Sequence, residues 1–174
     1  EVAQGRKLEA RLIDGEEALP LMARAGHWLR EFHSATQTET RGFQPKFMLT
    51  HVARLANDAV KRPGSLPDPV EFGRCCALLP GAAAAAEGHL VPSAQTHGDL
   101  GLRSLYLSGD EVSAIGFRAG PSAPVAFDLA RLVTDFLQVV APPLPQGAQF
   151  SLPPAVEQGL FGAYGLIRPD DPVL

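Results

Sequence analysis

Leu19, Met22, Gly26, Leu29 and His33 recur every three or four residues, with Phe32 beside them. That spacing lines up one face of a helix, predicted from about Glu16 to Ser34. A second helix is expected from about Phe47 to Val60, with Met48, Val52, Leu55 and Ala59 on one side. The stretch KRPGSLPDP (61–69) reads as a loop by its Pro and Gly content. It ends in a helix start signal, with Asp68 as N-cap, Pro69 in the first helical position and Glu71 as capping-box partner. The helix should run to about Leu79, where Pro-Gly interrupts it, and the alanine run that follows predicts a further short helix.

From Gln95 the pattern changes. SLYL (104–107) reads as a strand, SGD (108–110) as a turn and EVSAIGF (111–117) as a second strand. After RAGPSAP (118–124), the positions Leu129, Leu132, Val133, Phe136, Leu137 and Val140 hold the helical period. APPLPQGAQFSLPP (141–154) is a Pro-rich loop, and a last helix from about Ala155 to Tyr164 aligns Val156, Leu160 and Tyr164. There is no alternation of strand and helix of the kind that builds a parallel sheet, and no internal repeat. The expected class is mostly helical α+β.

Composition narrows the partners. The chain has 174 residues, 45% apolar and 20% charged, enough for a real core. A net charge of −4 without any dense basic run points away from nucleic acid and anionic membrane. No apolar run is long enough to span a bilayer, GAAAAAEG (81–88) included, and no secretory leader is visible. The chain begins at Glu1, as a processed piece of a longer protein would. Its cysteines are the neighbours Cys75 and Cys76, which cannot face each other for an ordinary disulfide. No Cys/His ligand spacing exists for structural zinc. Two buried free thiols are expected, and they fit a reducing cytoplasm.

The chemistry concentrates in THGDLGLRSLYLSGDEVSAIGFRAG (96–120), where His97 and Asp99 are set as a catalytic loop ahead of a hairpin would set them. Together with AGHWLREFHSA (25–35), FDLARLV (127–133) and FGAYG (161–165), this stretch resembles the C-terminal lobe of the aminoglycoside phosphotransferase and choline kinase group. These are small-molecule kinases of protein-kinase-like fold. The resemblance covers about residues 20–165 and rests on the order and spacing of its segments. It implies a kinase-like C-lobe over 16–174, helical over 16–90, with the catalytic loop and hairpin at 95–118 and helices over 126–165. Residues 1–15 would be a linker or a strand left over from an N-lobe, since nothing before Glu16 could form that lobe's five-stranded sheet or carry its Gly-rich loop and Lys.

Phosphoryl transfer needs an oriented hydroxyl, neutralised phosphate charge and well-placed substrates. By the resemblance, Asp99 stands where the base accepts the hydroxyl proton, and His97 holds the loop. The family's metal-ligating Asn, five residues after that Asp, is replaced by Ser104, and its second metal ligand, an Asp before Phe or Trp, by Gly116 before Phe117. Mg²⁺ favours carboxylate oxygen in a near-fixed octahedron. Gly116 has no side chain and Ser104 is at most a weak metal ligand. Arg103 and Arg118 would make the pocket cationic, able to hold an anion and hostile to a metal. ATP and Mg²⁺ belong to the family, and the expectation is that this chain alone binds neither.

Plainer roles stand beside these. His97 reads equally as a loop residue bonded to backbone, Asp99 as a turn-former, and Arg118 as a solvated charge. Asp128 reads as structural, capping its helix or tying down the catalytic loop. His33 and Trp28 read as packing residues, and His27, His51 and His89 give no site signal. The first functional expectation is a degenerate kinase-like domain that binds a partner protein, a separate N-lobe or a small ligand. The alternative is the C-lobe of an active phosphotransferase with Asp99 as base, in which Asp110, Glu111 or Asp128 would have to serve the metal. A helical interaction module is the third. Acceptor specificity in such kinases lies in variable segments, here 36–92 and 142–154.

Overall fold

The computed structural model describes residues 3–61, 64, 68–118, 121–140 and 151–174. Part of each of the loops expected at 61–69, 118–124 and 141–154 lies outside those residues. The chain forms two compact units, one of residues up to Glu39 and from Pro92 to Pro172, the other Thr40–Val91.

The larger unit begins with strand β1 (Arg6–Lys7) and helix α1 (Leu8–Ile13). This is more structure than a linker. Leu8 and Leu12 are buried one helical turn apart, which fixes α1 to the core. Helix α2 (Ala18–Thr36) buries Leu21, Met22, Ala25, Gly26, Leu29 and His33 along one stripe; of the expected face Met22, Gly26, Leu29 and His33 are buried, while Leu19 is exposed. Its main partner is a helix of π type, Ala155–Phe161, continued by a single turn, Gly162–Tyr164. The approach is very close. A Cβ built on Gly26 would lie 2.3 Å from the carbonyl oxygen of Leu160, so only glycine lets these backbones meet.

The predicted hairpin forms from a strand Leu105–Ser108 and a strand Glu111–Ala114, paired antiparallel from Leu105 opposite Ala114 to Ser108 opposite Glu111. Leu105 and Leu107 point into the core while Tyr106 is half-buried between them, the alternation a one-sided sheet requires. β1 adds to the free edge of the first of these strands, Arg6 opposite Leu107 and Lys7 opposite Tyr106. The second strand stops at Ala114, three residues short of the expected end. Beyond it the Ile115 N–H donates to the Ser104 carbonyl and the Arg118 N–H to the His97 carbonyl, which turns the chain back along the loop. A long helix, Ala126–Val139, buries Leu129, Leu132 and Phe136.

In the smaller unit, helices Lys46–Val60 and Pro69–Ala86 pack on each other. The less exposed positions of the first are Met48, Leu49, Val52, Ala56 and Ala59, so its inner face excludes Leu55, which is 47% exposed. Asp68 caps the second, accepting from the N–H groups of Val70 and Glu71 at 3.0 and 2.9 Å. Glu71 does not complete the capping box by an observed bond, and its carboxylate lies 3.5 Å from Arg74. The expected break at Pro80 does not occur; one helix runs through it to Ala86. Proline removes one hydrogen bond, and the five alanines after Gly81, the best helix formers, continue the helix across the gap. Strands not read from the sequence are Glu39–Gly42, Leu90–Ala94 and Ala123–Pro124. The last two pair antiparallel within the larger unit, Ser93 opposite Pro124 and Ala94 opposite Ala123. Cys75 and Cys76 are free thiols, but Cys75 is exposed and Cys76 half-buried, so the expected burial of both is not found. Among the described residues no helix is long and apolar enough to cross a membrane.

The close approach at Gly26 gives a direct check. Gly26→Ala should lower stability by about 1–3 kcal/mol in urea denaturation, because the added methyl forces α2 off the π-type helix. Gly162→Ala, helical and with nothing near the built Cβ, should instead raise it by about 0.5–1 kcal/mol.

Candidate functional site

The loop from His97 to Ser104 is held by one face of a helix. For this helix, Ala126–Val139, we use the label α5; the helices of the smaller unit, Lys46–Val60 and Pro69–Ala86, are α3 and α4. Along α5, Asp128, Arg131 and Asp135 fall at i, i+3 and i+7, which places them on one side. Asp128 is buried and accepts the backbone N–H of His97 at 2.6 Å and that of Gly98 at 3.2 Å. Arg131 reaches the Asp99 carboxylate. Asp135 accepts the Leu102 N–H at 2.6 Å. Leu100, Leu102 and Leu105 sink the intervening positions into the core.

Asp128 has a third partner. Its Oδ2 lies 3.2 Å from Nε2 of His33, whose Nδ1 lies 2.9 Å from the hydroxyl of Tyr164. A carboxylate only accepts, so Nε2 carries the proton here. Burial, and secondarily the charge of Asp128, push the Tyr164 phenol well above its ordinary pKa. It keeps its proton and donates to Nδ1. His33 is thus the centre of a buried polar chain joining α2, α5 and the final helical turn. The expectation of a plain packing residue is corrected: an imidazole that is 1% exposed needs polar partners, and two elements distant in sequence supply them.

His97 is fully buried. Its Nε2–H donates to the Ile115 carbonyl at 2.9 Å, and its Nδ1 lies 3.4 Å from the Asp99 N–H. Its ring lies 4.5 Å from that of Phe117, which meets Phe32 edge-on at 5.4 Å, and Phe32 stacks on Trp28 at 5.5 Å. Both side-chain nitrogens of His97 therefore face the loop and the segment after the hairpin, and the imidazole is walled off by aromatic rings.

Asp99 turns outward, its side chain 36% exposed. Its Oδ2 takes a hydrogen bond from Arg118 at 2.7 Å and its Oδ1 takes one from Arg131. Gly98 before it is at φ +79°, where side chains are strained, and a Cβ there would lie 3.1 Å from Cβ of Arg118. A cleft of about 580 Å³ opens beside Asp99, bordered by Arg103, Ser104 and Arg131. Arg103 is exposed and has no hydrogen-bond or ion-pair partner among the described residues. Ser104 directs its hydroxyl at the Asp99 carbonyl, 3.4 Å away. Gly116 is at φ +82° with open space around it. Asp110 and Glu111 sit at the turn of the hairpin, three residue pairs from its loop end, or roughly 10 Å along the strands. Arg24 lies there, 3.6 Å from Asp110. Asp128 is fully engaged in holding backbone.

The donor set does not suit Mg²⁺. Asp99 carries two guanidinium groups, Gly116 offers no side-chain oxygen, and Ser104 offers only a hydroxyl turned to backbone. Among the described residues there is no group of three or more His, Cys, Asp or Glu able to hold a metal. Two parts of the site, Arg131 and Asp135, escaped the sequence reading. Their signal was present as the polar i, i+3, i+7 row beside the apolar stripe of α5.

Solved structures resemble this fold. A glucosamine kinase in complex with glucosamine, ADP and inorganic phosphate aligns over 94% of this chain with a TM-score of 0.58 and 16% identity. Two crystal forms of glucosamine kinase each align with a TM-score of 0.53 and 18% identity, over 95% and 90% of this chain. The aligned part is 44–47% of those kinases, so this chain spans under half of their length. The fold is kinase-like. No family model and no curated protein matches the sequence.

Architecture and chemistry separate under substitution. Asp128→Ala strands the buried His97 N–H, the part-buried Gly98 N–H and His33, and should cost about 3–5 kcal/mol in chemical denaturation. Asp99→Ala removes only exposed ion pairs and should stay within about 1 kcal/mol of the parent. Unfolding by Asp99→Ala would make Asp99 architectural. Because the folded-state pKa of Tyr164 is raised, its contribution is complete below the unfolded value of about 10 and is lost as pH rises through the folded value. Tyr164→Phe should therefore flatten the fall in stability above pH ~10, seen by comparing denaturation of the two proteins across that range.

Proposed function

We propose that this chain is the C-terminal-lobe part of a small-molecule-kinase-like protein of the aminoglycoside phosphotransferase type, in which metal-dependent phosphoryl transfer has been lost and ligand binding kept. The observation that carries this reading is the state of Asp99. A general base must be free to accept a proton from a substrate hydroxyl. Here both carboxylate oxygens bond to arginines, and neither position 104 nor position 116 supplies a metal ligand. Two guanidinium groups also stabilise the ionised carboxylate and repel a divalent cation.

The backbone of the loop is nonetheless rigidly held, and a cleft opens beside it, which supports retained recognition of a small molecule. His97 acts as a brace for the loop in this reading. The likeness to glucosamine kinases supports the kinase ancestry, and the free thiols Cys75 and Cys76 support a cytoplasmic setting. In this reading the lobe works together with an N-lobe or with a partner protein.

Thermal unfolding with ATP, first in EDTA and then with Mg²⁺, tests this. A metal-nucleotide site saturated a hundredfold over Kd would gain about 2.7 kcal/mol, or roughly 5–10 °C. The expected result is no rise on adding Mg²⁺. A magnesium-dependent rise would return Asp99 to the role of base in an active enzyme.

A further inference from the structure

We propose that the cleft beside Asp99 is a metal-free binding site for a phosphate group, and that the Asp99 carboxylate is an internal competitor seated where that phosphate would sit. The inference rests on the reading above and names the ligand chemistry of the same site.

Arg118 follows the hairpin and Arg131 belongs to α5, so two separate elements aim guanidinium groups at one point. What they hold is an anion: one carboxylate oxygen each. All three side chains reach solvent, Arg118 at 71%, Arg131 at 57% and Asp99 at 36%. The carboxylate is thus displaceable while the loop backbone beneath it stays tied to Asp128 and Asp135. Arg103, without a partner among the described residues, borders the same cleft as Arg131.

Charge decides the ligand class. Arg103 and Arg131 line the cleft with Asp99 and Asp135, Arg118 reaches Asp99 from beside that lining, and Asp135 is already bonded to the Leu102 N–H. One carboxylate offers one negative charge and leaves the third arginine unanswered. A phosphate offers close to two negative charges and at least three acceptor oxygens, and guanidinium forks match its geometry. The N–H groups of His97 and Gly98 cannot contribute, being held by Asp128. Recognition therefore falls to the arginine side chains and is sensitive to salt. A magnesium-bound phosphate is disfavoured, since its cation would meet the same arginines with no side-chain oxygen from residue 116.

The test uses the whole chain in EDTA, titrated with inorganic phosphate, glucose 6-phosphate and ADP, read by calorimetry and by thermal unfolding. All three should bind, and their ranking separates a free phosphate ion from a sugar phosphate or a nucleotide as the source. Arg118→Gln and Arg131→Gln should each weaken binding about tenfold, the loss of a charge-assisted hydrogen bond. Asp99→Asn should strengthen it about tenfold by removing the competitor. That opposite sign guards against a mere folding defect, which would weaken binding in every variant. Absence of binding with or without Mg²⁺ overturns the phosphate site and leaves the loss of metal chemistry standing. Binding that requires Mg²⁺ overturns the loss of metal chemistry as well. Binding in EDTA that none of the three substitutions changes also overturns the proposal.

Discussion

A carboxylate enclosed in protein is tolerated only where hydrogen-bond donors surround it, and Asp128 is 1% exposed. Its donors are two consecutive backbone N–H groups of the loop and the imidazole of His33. The requirement runs both ways, since those N–H groups have no strand or helix to bond to. The loop must therefore lie against the first turn of α5, and α2 must present His33 from the other side. Once that is fixed, Arg131 and Asp135 follow one and two turns along α5 and meet the loop at Asp99 and Leu102. The direction in which Asp99 points is a consequence of where Asp128 sits.

This arrangement divides two tasks between two aspartates, Asp99 and Asp128, distant in sequence. Asp128 has its charge buried and its lone pairs taken by backbone, so it serves shape. Asp99 has its backbone held and its charge exposed at the edge of the cleft. The loop is held by the carboxylates of Asp128 and Asp135 and by the Ser104 carbonyl, which accepts the Ile115 N–H, and none of these supports depends on a bound ligand. The aromatic wall of Trp28, Phe32 and Phe117 behind His97 adds to that independence. It braces the loop through packing that needs neither nucleotide nor cation.

The likeness to the glucosamine kinases, at 16–18% identity, is a likeness of backbone architecture. The site described above lies wholly within the larger unit, so its geometry stands on contacts internal to that unit.

Local pattern was enough for most of the helices and for the hairpin. Apolar residues at spacing three and four located α2 and α5, alternation around SGD located the hairpin, and Asp68 marked the start of α4. Each of these signals depends on neighbours within a turn or a pair of strands. Where local signals conflicted, as at Pro80 before five alanines, the wrong one was preferred. The short strands Leu90–Ala94 and Ala123–Pro124 were invisible because each exists only through pairing with a segment about thirty residues away. The family resemblance drew attention to His97, Asp99, Ser104, Gly116 and Asp128. It did not reveal that Arg131 reaches Asp99, or that His33 and Tyr164 share one proton path with Asp128 across 131 residues of sequence. A side chain's partner in a buried or clefted site is chosen by how helices pack, and packing direction is not written in any single helix's periodicity.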